Sequence, residues 1–579
     1  MPMPLHDIDN SLLGSFMITD NCYGAICFSH LDPSGTKFFG FSEFLTGLAL
    51  MVLAWTIGDV RYRFRIRAAP VPLLSATYVI VCGVGILTLI TDLWRAQGWL
   101  VPEGKIISPA LWQALIGAIF FLTFLTWAWF AFIRPPQFGR SNAKRFAQTL
   151  YRHIVKGDPA ELSIISDELA TSAGALIRYA PDRYRTGKQA DEFREGKVPQ
   201  RLTNTEAYAH DILLLIADKR LCSAIVNSSP ITALAIFEEI NNQGKYGVAI
   251  RTFAKNIVRE ALSNPNSFLY HETDVYESGL IGHLRPLSQA MFSNPKTIES
   301  IDSLLDPDLL GNRKWSAPQW AAYCRLVLVA IQGYADAKIL THSRPLKRAT
   351  DYLVSATSDL YTVNGLVNSY ESEPVQKLQE IMNFVKEAIE ILDKHSTPQE
   401  INLRIRVAYG RPYDSIYDDI ASILFETIYH ASNVKSPWWD CWTIQHNTIW
   451  SKLQFALTGP AGRAIRHKLH RLLYNEIIHM EEFPNFKSSA ILAYCLNVLG
   501  LNIPNGDFHK ECRPLHKSTL AWTIRNYTKL HTNYPRVAEA CLPDRITYDA
   551  DSNQLIKTYP AEGLKNEPSS VYLKLDPIS

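Results

Sequence analysis

Three long apolar runs lie within the first 133 residues, and they constrain the fold more than any other feature of the sequence. "FFGFSEFLTGLALMVLAWTIG" covers Phe38 to Gly58. "VPLLSATYVIVCGVGILTLITDLW" covers Val71 to Trp94, and "PALWQALIGAIFFLTFLTWAWFAFI" covers Pro109 to Ile133. A helix rises about 1.5 Å per residue, so about 20 apolar residues cross roughly 30 Å of hydrocarbon. Each run meets that length, and the only charges inside them are Glu43 and Asp92. Three such runs so close together read as transmembrane helices rather than helices of a soluble core. A signal peptide fits poorly, because the preceding segment carries a single cation, Lys37, and no Arg.

The distribution of Lys and Arg orients the spans. Lys37, Arg95 and Lys105 lie on one side. Arg61, Arg63, Arg65, Arg67, Arg134, Arg140, Lys144, Arg145, Arg152 and Lys156 lie on the other. The expected topology puts the N-terminus outside and the C-terminal body in the cytoplasm, in a bacterial-type inner membrane. Trp94, Trp99 and Trp112 would mark the outer interface, and Trp127 and Trp129 the inner one.

Within "DVRYRFRIRAAPVP", Arg61, Arg63, Arg65 and Arg67 occupy every second position. Juxtamembrane cations near an anionic leaflet contribute about 1 kcal/mol each, so lipid attachment and topology explain the row. An extended chain would also place four guanidiniums on one face and Tyr62, Phe64 and Ile66 on the other. Such a strip would grip a phosphate-bearing ligand or an acidic partner.

From Arg134 onward the pattern is helical. "STPQEINLRI" offers Thr397, Pro398 and Glu400 as a capping box, and Ser229–Pro230 starts another helix. Trp320, Cys324, Val327, Leu328 and Ile331 share one face. Leu378, Ile381, Met382, Val385, Ala388, Ile389 and Leu392 form a stripe fit for a packed bundle helix. "RITYDADSNQLIKTYP" reads as two strands around a turn at Ala550 to Asn553, and "SSVYLKLDP" as a further strand. The expected fold is mainly α, with three N-terminal transmembrane helices, a large cytosolic helical domain and a small C-terminal β element. Its parts are an extracytoplasmic arm (1–37), a transmembrane module (38–133), juxtamembrane helices and a charged linker (134–201), the helical domain (202–540) and a β-hairpin with tail (541–579).

Nine cysteines are scattered, and most sit in apolar patterns typical of reduced, buried thiols. Cys22 and Cys27 are the exception. They lie in a turn-rich segment and would either pair outside the membrane or remain free.

The chain carries no Walker A, GxSxG, HExxH or GxGxxG pattern. His509, Cys512 and His516 are spaced H-x2-C-x3-H, which would suit zinc, but the usual C-x2-C pair is missing and a polar loop is the simpler reading. In "RHKLHRLLYNEIIHMEE", His467 and His470 stand one turn apart with Arg463 and Tyr474 near the same face. Glu476 there points at an apolar stripe and calls for a partner on another helix. His271, Glu272, Asp274, Glu277 and His283 mix carboxylates and imidazoles as a solvated loop or a metal site would. Trp438, Trp439, Trp442 and Trp450 suit a core or a protein interface. Glu43 and Asp92 would be wetted near the headgroups or, in an oligomer joined through Gly83, Gly85, Gly117 and Ala118, would ring a cation-selective mouth.

Net charge is only +2, which gives no argument for nucleic acid. The expected partners are membrane lipids and either a protein partner or further copies of the chain. The expected function is a membrane-tethered sensor, scaffold or effector. A gated channel and a membrane-bound enzyme with a noncanonical site are the alternatives.

Overall fold

The computed structural model describes residues 21–23, 26–31, 33, 37–57, 59–103, 108–182, 202–272, 286–306, 315–340, 343–366, 368–395, 415–503, 510–559 and 567–577. The chain divides into two compact units, residues 1–179 with 201–212, and residues 180–200 with 213–579. The architecture is mainly helical, with a small antiparallel sheet at the C-terminus.

The first unit is built on helices α1 (Phe41–Ile57), α2 (Val60–Ala68), α3 (Leu73–Ala96), α4 (Pro109–Ala128), α5 (Ala143–Lys156) and α6 (Pro159–Ala170). Two helices are long and apolar enough to cross a membrane: α3, and α4 with the π turn Trp129–Ile133 that continues it. Only 28% and 17% of their most apolar stretches are buried within the protein. Leu87, Leu89, Ile90, Leu93, Leu115, Phe121, Leu122 and Leu125 are exposed along these two helices. Helix α1 is shorter than its apolar run. Its 17 residues reach only about 25 Å. It is nonetheless packed along both neighbours, with Phe44 and Met51 buried against Val81, Val84 and Ile116.

The start of α1 explains its length. The backbone N–H of Gly40 donates to Glu43 (2.9 Å), that of Phe41 to Asp92 on α3 (3.0 Å), and that of Phe38 to Gln113 on α4 (3.0 Å). The two acids of the apolar runs thus hold the orphan donors of a helix N-terminus, where negative charge is favoured. Lys37 stands 3.5 Å from Asp92. Two of the small residues are used inside the chain, Gly85 facing the Phe44 ring and Gly117 the Phe39 ring, while Gly83 faces open space.

The structure adds a three-stranded antiparallel sheet that the sequence pattern does not predict. It joins β1 (Asn21–Tyr23) and β2 (Ile26–His30) to β3 (Leu100–Glu103), in the order β1–β2–β3. Its register sets Cys22 opposite Cys27. It also pairs Cys27–His30 with the segment between α3 and α4.

The arginine row is helical, which corrects the extended strip. Asp59 caps α2 by accepting from Val60, and the helix buries Val60, Phe64, Ile66 and Ala68. A period of 3.6 instead of 2 splits the row into two pairs one turn apart. Arg61 and Arg65 turn inward, while Arg63 and Arg67 are exposed.

The second unit is helical around Ala317–Asp336, which packs along Glu373–Lys394. Every member of the two expected apolar faces is buried. Lys219–Ser228 and Pro230–Gln243 are apolar enough to pass as a broken span bent by 103°, but Leu221, Ile225, Ile236 and Phe237 lie in this unit's core. Helices Pro460–His479, Phe486–Leu499 and Arg513–Asn533 lead to the C-terminal sheet of β4 (Ile546–Asp549), β5 (Gln554–Tyr559) and β6 (Ser569–Lys574). Asp549 pairs with Gln554, so the turn is Ala550–Asn553 as expected, with Asn553 in the left-handed region (φ 46°). The capping box at Thr397, Pro398 and Glu400 and most of the charged linker lie outside the described residues.

Candidate functional site

The cationic strip of the second unit follows from helix Pro460–His479. Arg463, His467, Arg471 and Tyr474 recur at helical spacing and come to one side, with Arg466 and His470 beside them. The segment at Lys510–Leu515 closes the other side. Together they line a pocket of about 360 Å³ formed by Arg463, Arg466, His467, His470, Arg471, Tyr474 and Glu511. Arg466 also donates to the Leu457 carbonyl (3.0 Å) and pairs with Glu511; Arg463 donates to the Thr458 carbonyl (3.2 Å). These bonds fix two guanidiniums, whereas His467 and Arg471 are exposed at the rim.

A second pocket of about 310 Å³ shares Arg466, His470 and Glu511 with the first and adds Trp450, Leu453, Phe455 and Leu457. The arrangement places a cationic chamber beside an apolar, aromatic one. The His470 ring lies between them, stacked at 6.3 Å on Trp450. Burial, then Arg466 and His467, push its pKa down to about 3. Desolvation and like charge both disfavour the imidazolium.

That shift has a consequence for stability. Unfolded, the ring returns to its ordinary 6.5, so between pH 6.5 and 3 the unfolded chain holds a proton that the folded chain lacks. Stability is therefore complete above pH 6.5 and falls as the pH drops. The expected loss at this ring between pH 7.5 and 5 is about 2 kcal/mol. Burial lowers His430 in the same direction. Denaturant midpoints at the two pH values check this. His470→Phe should lose part of the acid sensitivity, and an unchanged pH dependence in that variant would refute the assignment.

The other sequence candidates resolve as follows. Cys512 is buried and receives a hydrogen bond from Gln454 (3.8 Å), and His516 Nε2 donates to the Gly500 carbonyl (2.9 Å). They line one cavity of about 60 Å³, but His509 lies outside the described residues. No group of three potential metal ligands occurs among the described residues. Glu476 accepts from Ser488 (2.7 Å), a neutral partner on the Phe486–Leu499 helix. Glu272 accepts from the N–H groups of Leu287 and Ser288, and Asp274, Glu277 and His283 are outside the described residues. Trp438 stacks on Trp442 (6.0 Å) and carries the Arg545 guanidinium 3.4 Å above its ring, while Trp439 is exposed.

In the first unit, Arg65 makes a two-pronged bond to Glu168 on α6 (2.8 and 2.7 Å), and Arg61 reaches Asp167 (3.1 Å) and Glu168 (3.4 Å). The third donor of Arg65 goes to the Ala131 carbonyl (2.9 Å). The sequence explains that carbonyl: Pro135 and Pro136 supply no N–H to the end of the π turn.

Neither a family model, nor a curated protein, nor a solved structure matches the chain. Its function therefore rests on its own geometry.

Arg463, His467, His470 and Tyr474 are recognisable in the sequence as neighbours on one helix face, whereas Arg466, Arg471, Lys510 and Trp450 are not recognisable as members of the same site. The cations at 463, 467 and 471 were readable as a helical stripe. The wall from Lys510 to Leu515 was not, because its approach is a tertiary event.

Proposed function

We propose that this chain is an integral membrane sensor or effector, anchored by three spans, whose helical domain binds an anionic small molecule with an apolar or planar part. The observation that carries the reading is the pair of adjoining pockets. One is lined by Arg463, Arg466, His467 and Arg471 and the other by Trp450, Phe455 and Leu457, with His470 common to both. Arginine suits phosphate and carboxylate groups because its planar fork donates to two oxygens at once. Large apolar walls with a few fixed donors are the usual form of a ligand pocket.

Two observations support three spans. Helix α1 is tied to α3 at its first residue and to α4 just before it, through Phe38, and Trp55 near its other end packs beside Leu73 and Trp127. It therefore runs beside both neighbours from end to end. Strand Ile26–His30 and the α3–α4 segment share a sheet, as an even number of crossings between them, α1 and α3, requires. The cation asymmetry supports an outside N-terminus and a cytoplasmic helical domain. Burial pushes the thiols of Cys222, Cys324, Cys495 and Cys541 up, so these four are poor nucleophiles.

The test uses the full chain in detergent, titrated with inorganic pyrophosphate and with a nucleoside triphosphate by calorimetry. The triphosphate should bind more tightly than pyrophosphate, and Arg471→Ala should weaken both by about tenfold, the share of one charge-assisted contact. Binding of neither probe would overturn the anion reading. Protease added to intact spheroplasts should spare the helical domain and cut it after lysis; cutting before lysis would overturn the orientation.

A further inference from the structure

We propose that the cavity at the N-terminal end of α3 holds the phosphodiester of an anionic glycerophospholipid. The cavity measures about 210 Å³ and is lined by Arg67, Arg145 and Arg152, with Ser75, Gln148 and Thr149 among its polar groups. No carboxylate lines it. This inference rests on the reading of α3 as a membrane span, and is independent of the ligand in the helical domain.

Three features point to this ligand. The first is how the arginines are used. Arg61 and Arg65 are committed to Asp167 and Glu168. Arg145 is held by the carbonyls of Ala69, Pro70 and Ser141, which aims it along the cavity wall. Arg67 and Arg152 are exposed and have no hydrogen-bond or ion-pair partner among the described residues. Uncompensated guanidiniums around one concave space repel one another, and a phosphate relieves that repulsion with charge-assisted bonds.

The second is the helix end. Pro72 provides no side-chain cap to α3. The N–H of Leu73 is taken by Val71 and that of Ala76 by Pro72, leaving those of Leu74 and Ser75 without an acceptor among the described residues. They add donors and the positive end of a 24-residue helix to the same cavity.

The third is position. Below the cavity α3 exposes Leu74, Tyr78 and Val79, at 49%, 70% and 67% of their surface. Cations above and an outward apolar strip below match a lipid with its phosphate in the cavity and an acyl chain along α3. A free phosphate ion would use only the upper half.

The experiment measures lipid binding to the detergent-solubilised full chain by native mass spectrometry, with phosphatidylglycerol, phosphatidylcholine and inorganic phosphate as probes. Phosphatidylglycerol should bind best, since the choline ammonium meets three guanidiniums. Arg67→Gln with Arg152→Gln should weaken it about 30-fold, the share of two cations in attraction to an anionic headgroup. Arg63→Gln with Lys144→Gln removes equal charge at exposed positions outside the cavity and should cost less than about fivefold. If the first pair does not fold, Arg152→Gln alone carries the test. Equal losses in the two pairs would reduce the effect to diffuse surface attraction and overturn the site. Displacement of the lipid by millimolar phosphate would overturn the lipid assignment. Failure of the parent chain to partition into pure phosphatidylcholine liposomes would instead refute the span.

Discussion

Glu168→Ala should destabilise the first unit by about 3–5 kcal/mol, while Asp167→Ala next to it should cost less than about 1 kcal/mol. The Glu168 side chain is only 5% exposed and meets Arg65, which is 13% exposed, through two short bonds. Its removal leaves a desolvated guanidinium with one carbonyl partner. Asp167 is 44% exposed, and its bond to Arg61 is screened by water. Thermal unfolding in detergent compares the two. Replacing both partners, as Arg65→Met with Glu168→Leu, should recover part of the loss, because a buried pair is costly to halve but cheap to replace whole. If Glu168→Ala behaves like Asp167→Ala, the pair is not the lock between α2 and α6.

Gly333→Ala should destabilise the helical unit by about 2 kcal/mol, although it introduces a better helix former. Gly333 lies inside Ala317–Asp336, where alanine at an open site would gain about 1 kcal/mol. Here a Cβ would overlap the Ser293 carbonyl oxygen and stand 2.5 Å from its carbon. Both atoms belong to backbone, so no side chain can swing aside. Gly333→Val, with two further methyl groups, should abolish folding of this unit. Gly83→Ala on α3 is the control, since nothing lies within 4 Å of its Cβ position and the change should be neutral or stabilising. A rise in the unfolding midpoint of Gly333→Ala would show that the two backbones are not so close.

The apolar helices, the helical body and the C-terminal hairpin with its turn are legible in the residues alone. Each depends on local periodicity or on turn residues, and these act through neighbours a few positions apart. The stripe from Leu378 to Leu392 was readable for that reason, and all of it is buried. The rest depends on packing. The alternation at Arg61 to Arg67 suits a strand as well as two pairs on a helix. The choice went to the helix because Phe64 and Ile66 find a core, Arg65 finds Glu168, and Asp59 caps the first turn. Glu43 and Asp92 looked like costly charges in a membrane; only the convergence of three helix ends showed that they satisfy backbone donors. Both cationic pockets join residues distant in the sequence, Arg67 with Arg152 and Arg471 with Glu511. Such pairs leave no periodic trace, because the contact is set by how whole helices pack.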